Sequence, residues 1–274
     1  MEKILKNFAC KDKDATAEKL EKFIAAGKDK TYLISDFDRT ITPLFNEKGE
    51  EVSTWGLMSR RMPAAIRARE VKLYEKYRPL EVAGKMTVED AVDWWSTNLD
   101  LYEISRTKWS DLADEVEEAM PARPGATALF DLCAKKGIPA IILSAGIKDV
   151  IELWCNKFEV RPGMILSTKL CFDAKGFVCG WEKSSLVHTL NKLETGKKHL
   201  GDIQKARPHA ILIGDSMDDA AMVEGADNVL RLFIDNKPAD TKKGGDFYAK
   251  VFEKFDFTVQ NDSLQPLVDA IKLI

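Results

Sequence analysis

The stretch TYLISDFDRT, Thr31 to Thr40, decides how this chain is read. Tyr32, Leu33 and Ile34 form an apolar run without polar alternation, the pattern of a strand covered on both faces. The run stops at Asp36 and Asp38, two carboxylates one residue apart. In an open α/β sheet, ligands bind beyond the carboxyl ends of the strands. Side chains two apart along an extended chain point to the same side, so both carboxylates can face one ligand. One can attack as a nucleophile while the other moves a proton. By itself the pair is equally compatible with a turn or a helix cap.

Working outward, similar runs occur at PAIILSA (139–145), MILST (164–168), AILIGD (210–215), NVLRLFI (228–234) and FDFTVQ (255–260). Helical patterns over 13–27, 125–136, 147–158, 217–225 and 263–273 alternate with them. Such alternation predicts an α/β fold, a doubly wound and mostly parallel sheet. KLCFDAKGFVCGW (169–181) alternates around Ala-Lys-Gly and predicts a β-hairpin. Residues 45–120 break the pattern with helical stretches at 57–77, 87–99 and 106–119. They predict a small helical cap inserted after the first strand, and PARPG (121–125) marks the return to the core. The expected division is a core of 1–44 plus 121–274 and a cap of 45–120.

Composition narrows the partners. The 274 residues carry a formal charge of −3, with no dense basic tract; no nucleic acid polymer is expected as a partner. Charges interrupt the N-terminal MEKILKNFACKDKDATAEKL, and no uncharged apolar stretch is long enough to span a bilayer. Five scattered cysteines and no leader suggest free thiols in the cytoplasm. Cys133 and Cys155 fall in apolar helical patterns and read as core residues. Three histidines without paired spacing argue against a zinc site.

The other strand ends carry chemistry too. The second ends in Ser144-Ala145-Gly146, a hydroxyl and a glycine where backbone can approach a phosphate. The fourth ends in Gly214-Asp215-Ser216-Met217-Asp218-Asp219. So many carboxylates at one edge need a compensating cation, and a hard oxygen-ligated ion such as Mg2+ suits phosphate chemistry. Lys192, closing His188-Thr-Leu-Asn-Lys192, can neutralise phosphate oxygens, with Lys183, Lys197 and Lys198 as nearby competitors.

In order and in position, DFDRT, LSAG, the lysine of HTLNK and GDSMDD resemble the four motifs of the haloacid dehalogenase (HAD) phosphatases. The resemblance implies an HAD-like core with Asp36 as nucleophile forming an aspartyl-phosphate and Asp38 as acid, then base. It implies that Ser144, Ala145 and Lys192 bind the phosphoryl group. Magnesium would be held by Asp36, the Asp38 carbonyl and Asp215, with Asp219 behind it. Asp218 stays outside this set, because many relatives have a glycine-like residue there.

SAGIKDVIE (144–152), FDAKGFVCGW (172–181), GDSMDDAAM (214–222), KYRPLEV (76–82) and TVEDAVDWW (87–95) further resemble the cytosolic pyrimidine 5′-nucleotidase family. That implies a nucleotide substrate, with Glu81 contacting the base and Trp95 or Trp55 stacking on it. Trp94 and Trp95 are adjacent and are not expected to face one way on a helix. Arg39 departs from the family pattern, and the segment between Glu81 and Trp94 is shorter than in animal relatives. The competing readings are a phosphatase for a vitamin-precursor phosphate, phosphoserine or a sugar phosphate, a nucleoside phosphotransferase, and a silent HAD-scaffold binding protein.

Overall fold

The computed structural model describes residues 8–236, 245–259 and 262–274. Residues 1–7 of the charged N-terminal stretch and Gln260 of the last expected strand lie outside them. Helix α1 (Lys13–Ala26) starts at the Asp12 side chain, which accepts the Asp14 and Ala15 amides, and stops at Gly27, φ 75°. Strand β1 (Thr31–Ser35) follows and is buried throughout. The long excursion contains α2 (Thr54–Ser59), α3 (Ala64–Val82), α4 (Val88–Ser105) and two single turns, α5 (Ser110–Ala113) and α6 (Val116–Ala119). The chain then returns through α7 (Ala126–Lys136), β2 (Ala140–Ile147), α8 (Lys148–Lys157) and β3 (Met164–Thr168). A hairpin of β4 (Leu170–Phe172) and β5 (Val178–Trp181) precedes α9 (Lys192–Ala206) and β6 (His209–Gly214). Strand β7 (Asn228–Ile234), α10 (Gly245–Lys254), β8 (Phe257–Val259) and α11 (Gln265–Ile271) complete the described elements.

The main sheet has the order β3-β2-β1-β6-β7-β8, and every pairing is parallel. Alternate side chains feed two cores. Leu33, Ile142, Ile211 and Leu232 pack with Phe23, Phe130, Ile151 and Leu267 on one face. Tyr32, Ile34, Ile141 and Leu212 pack with Leu200, Met222 and Val251 on the other. Coverage of both faces is why the strands read as unbroken apolar runs. The chain winds outward from β1 through β2 to β3, then returns to β6 on the opposite side of β1. That reversal opens a crevice at the carboxyl ends of β1 and β6, where Asp36 and Asp215 stand.

Several sequence expectations need correction. The helix expected over 217–225 is a single 3-10 turn, Asp219–Ala221. The Asp219 carboxylate accepts the Asp215 and Ser216 amides at 3.0 and 2.9 Å, a side-chain-to-backbone closure that competes with helix. The stretch 57–77 divides at Pro63 into α2 and α3, since proline cannot continue the hydrogen-bond ladder. The stretch 87–99 extends to Ser105, launched by a Thr87–Asp90 capping box and ended by Arg106 at φ 50°. Beyond it, the helix expected over 106–119 gives way to the short turns α5 and α6: the Trp109 amide donates to Gly176 of the hairpin turn, and the Leu112 and Glu115 amides donate three residues back instead of four. Strand β2 runs two residues past Ala145, with a register shift between Leu143 and Ile147.

The helical excursion is joined to the sheet by packing. Leu99, Leu101, Tyr102, Leu112 and Val116 belong to the same hydrophobic cluster as Leu33 and Ile142. A second cluster of Tyr77, Met86, Ala91, Trp94 and Trp95 packs against Ala145, Leu186 and Leu190. Cys133 and Cys155 are buried core thiols, as expected, and burial pushes both up to about 12.

Candidate active site

The loop after β1 is held rigidly. The Asp36 amide donates to the Ile213 carbonyl of β6 at 3.0 Å, so the strand pair itself places the carboxylate. Arg39 adopts φ 63°, a left-handed conformation disfavoured for a side chain of this size. Arg123 over-determines that turn. Its fully buried guanidinium donates to the carbonyls of Thr40 (2.7 Å), Arg39 (2.7 Å) and Thr42 (3.0 Å), to Asn236 (2.6 Å) and to Asp262. Burial lowers the Arg123 pKa to about 10. PARPG, expected only as the return to the core, thus carries a positioning role as well. The sole signal was an arginine framed by Pro and Gly, which no local pattern distinguishes.

Lys192 is the first residue of α9 and is buried. Its ammonium donates to Asp36 at 2.8 Å and to Asp219 at 2.6 Å. Burial opposes the charge, but Asp219 and Asp36 together outweigh it and hold the Lys192 pKa above its usual range. The competing lysines lie elsewhere: Lys197 pairs with Glu224, and Lys183 lies over the Trp181 ring at 3.5 Å.

The second carboxylate has its own support. Asp38 accepts the Thr54 amide at 2.9 Å and the Thr54 hydroxyl at 2.8 Å, and that hydroxyl in turn accepts the Ile147 amide at 3.2 Å. Burial first, then the neighbouring Asp36, raises Asp38 to about 6. Thr54 opens α2, whose N-cap is Ser53, three residues ahead of the helix expected from Leu57. Gly146 completes this corner. A Cβ there would collide with the Thr54 hydroxyl and lie 3.1 Å from the Asp38 carboxylate, so the approach of β2 to the loop requires glycine.

Asp36, Asp215 and Asp219 each offer a carboxylate oxygen within 4.8 Å of the others, as a metal centre requires. Asp219 is fully buried and spends both oxygens, one on Lys192 and one on two amides. Asp36 and Asp215 are therefore the pair left to face an ion. Burial, then Asp219 and Asp36, pushes Asp215 up to about 8, the mark of a carboxylate cluster short of positive charge. An all-oxygen set with excess negative charge fits a hard divalent cation.

These groups form the floor of a cavity of about 600 Å³. Asp36, Asp38, Ser144, Ala145, Lys192 and Asp215 line it together with Trp55, Glu81 and Trp95. The structure thus gathers the residues singled out from sequence, with Asp219 directly behind Lys192. Trp55 and Trp95 both donate their indole N–H to the Ala145 carbonyl, at 3.2 and 2.9 Å, and meet edge to face at 6.2 Å. Trp94 lines the same cavity, contrary to the expectation that adjacent tryptophans must diverge. Its ring packs edge-on against Trp95 at 4.8 Å and stacks on Tyr77 at 5.8 Å. Among the described residues, the buried Trp94 Nε1 and Asn98 Oδ1 have no hydrogen-bond partner, and both residues line the cavity. Glu81 accepts from Arg78 and from the Thr189 hydroxyl at 3.2 Å. Arg39, the departure noted in the sequence, lines the cavity with its guanidinium 3.6 Å from Glu51.

Comparison with known proteins agrees with this architecture. The family described as Pyrimidine 5′-nucleotidase (UMPH-1) matches residues 40–271. A 7-methylguanosine phosphate-specific 5′-nucleotidase A from Xenopus laevis is 27% identical over 95% of this chain and 93% of its own length. A putative cytosolic 5′-nucleotidase 3 from Caenorhabditis elegans is 28% identical over 88% of this chain and 69% of its own. A crystal structure of cytosolic 5′-nucleotidase IIIB bound to cytidine superposes with a TM-score of 0.80 at 24% identity, covering 97% of this chain and 93% of that one. A substrate-bound phosphoserine phosphatase shares the fold at a TM-score of 0.58 and 15% identity, covering 88% of this chain and 98% of that one. With the family matched across most of its length and its motifs meeting at one sheet edge, this chain belongs to the pyrimidine 5′-nucleotidase family and is a phosphatase of the HAD type.

Proposed function

We propose that the protein hydrolyses nucleoside 5′-monophosphates, pyrimidine ones foremost, through an aspartyl-phosphate on Asp36. The observation that carries this reading is the arrangement of two differently supported carboxylates at the floor of one cavity. Burial raises the pKa of both carboxylates; at Asp36 the Lys192 ammonium at 2.8 Å opposes that push, while Asp38 is raised to about 6 and aimed by Thr54. The different partners assign the roles: the carboxylate beside the ammonium attacks, and the one held by Thr54 carries the proton.

In the first step an Asp36 oxygen bonds to phosphorus as the bond to the leaving oxygen breaks, and Asp38 delivers its proton to that oxygen. In the second, Asp38 takes a proton from water, which attacks the aspartyl-phosphate and frees phosphate and Asp36. Ser144 and the Ala145 backbone hold the phosphoryl oxygens, and Lys192 neutralises their charge. Asp36, the Asp38 carbonyl and Asp215 would hold magnesium, which supplies charge neutralisation of the phosphoryl group. Asp219 positions Lys192 from behind.

Residues 45–120 serve as the cap that walls the leaving-group side and sets specificity. Trp55 remains partly exposed and stacks on the base; Trp95 backs it. Glu81, together with the unpartnered Trp94 Nε1 and Asn98 Oδ1, gives the wall polar groups for a base edge. A small nucleotide is therefore the partner, and the relative named as cytosolic favours a cytoplasmic setting.

The test is phosphate release, with and without Mg2+, from CMP, UMP, AMP, GMP, 7-methyl-GMP, phosphoserine, sugar phosphates and an aryl phosphate. Magnesium-dependent turnover strongest on CMP and UMP supports the reading. Turnover strongest on phosphoserine or a sugar phosphate removes the nucleotide assignment.

A further inference from the structure

The side of the cavity lined by α3 carries a charge arrangement that bears on which base it accepts. Arg78 and Glu81 lie three residues apart on α3, so their side chains meet on one helix face. Both line the cavity, and the Arg78 guanidinium donates directly to the Glu81 carboxylate. The other Glu81 oxygen accepts from Thr189 at 3.2 Å. The carboxylate is thus fixed and neutralised, with a side-chain exposure of 12%. Three more acids outside the floor line the cavity, of which Glu51 faces the Arg39 guanidinium at 3.6 Å. Glu70 accepts from the Ser59 hydroxyl and burial raises its pKa; Asp218 lies within the field of Lys254. Arg78 is the one cation on this helix that lines the cavity.

A 7-methylguanine base carries a positive charge on its methylated imidazole ring, whereas cytosine and uracil are neutral at pH 7. A free carboxylate in the wall would attract the former. A carboxylate already paired with arginine offers a neutral base only a hydrogen-bond acceptor, and the guanidinium repels a cationic ring. We infer that Arg78 is a specificity-determining residue, which by pairing with Glu81 turns the α3 side of the cavity against cationic bases and toward uncharged pyrimidines. This rests on the nucleotide reading above, and it separates this chain from the relatives named for 7-methylguanosine phosphate.

The experiment compares kcat/KM for CMP and 7-methyl-GMP in the full-length enzyme with Mg2+, using an aryl phosphate as the reference for intact catalysis. Wild type is expected to favour CMP. Arg78→Gln frees the carboxylate, and the ratio should move toward 7-methyl-GMP by about tenfold, a charge–charge effect reduced by solvent screening, since the Arg78 side chain is 35% exposed. Arg78→Lys should keep the wild-type preference. Arg78→Gln combined with Glu81→Gln should return the ratio toward wild type. Glu81→Gln alone should move it further toward CMP, which keeps the idea testable if Arg78→Gln folds poorly. A wild-type preference for 7-methyl-GMP, or an unchanged ratio in both single glutamine variants, overturns the inference. If neither nucleotide outpaces the aryl phosphate in wild type, the nucleotide reading fails first and the inference falls with it.

Discussion

Replacing Thr54 by valine keeps the volume and removes one hydroxyl, which serves two partners. It donates to the Asp38 carboxylate at 2.8 Å and accepts the Ile147 amide at 3.2 Å. A hydrogen bond to a charged group is worth about 1.5–3 kcal/mol, and an orphaned buried amide costs about 1–3 kcal/mol. The first loss falls on Asp38, the second on stability. If Asp38 must be aimed at the leaving oxygen and then at water, kcat should fall about 10- to 100-fold. The Thr54 bonds also lower the Asp38 pKa, against burial and Asp36, which raise it to about 6. Removing one shifts Asp38 further toward its protonated form. Proton donation then survives to higher pH while proton abstraction from water suffers, so the second chemical step becomes limiting. Rapid-quench kinetics with radiolabelled CMP should show a burst of acid-trapped phosphoenzyme in Thr54→Val at neutral pH. A kcat within twofold of wild type, with no change in its pH profile, would refute this role for Thr54.

Further outcomes follow from the same geometry. Lys192→Met leaves Asp36 and Asp219 as buried unpaired charges; it should cost about 3–5 kcal/mol in denaturant unfolding and abolish turnover. Gly146→Ala forces its Cβ against Thr54 and Asp38, and activity assays should show a larger loss than circular dichroism shows in fold. Burial lowers the His188 pKa, so the folded protein keeps this ring neutral. Below about pH 6.5 the unfolded chain takes up a proton the folded one resists, and stability falls with acid. His188→Asn should remove that share of the slope in pH-dependent unfolding, and an identical slope would exclude it.

The floor of the cavity was legible because Asp36, Asp38 and Asp215 follow strands directly, where apolar runs give way to carboxylates, and because Ser144 and the helix-opening Lys192 flank them in motif order. Asp36, Asp38, Ser144, Lys192 and Asp215 needed only the sheet to bring them together. Thr54 and Arg123 were not legible. Their partners lie 16 and more than 80 residues away, and nothing local marks a threonine or an arginine as a support for a distant loop. The false helix over 217–225 has a related cause. Its residues carry helical periodicity, but Asp219 turns inward to Lys192 and two amides, and the site overrides local propensity. Helix ends in the excursion depended on Pro63 and on Trp109 reaching the hairpin turn, the second of which is a tertiary contact. The Arg78–Glu81 pair was available at helical spacing, yet only the fold shows that both line the cavity.

The central claim is that phosphate passes through Asp36. Acid quench of the enzyme turning over radiolabelled CMP with Mg2+, followed by peptide mapping, tests it most directly. Transfer through Asp36 requires label on the peptide containing it, lost in a folded Asp36→Asn variant that no longer turns over. Label on another residue, or sustained turnover by Asp36→Asn, would contradict it.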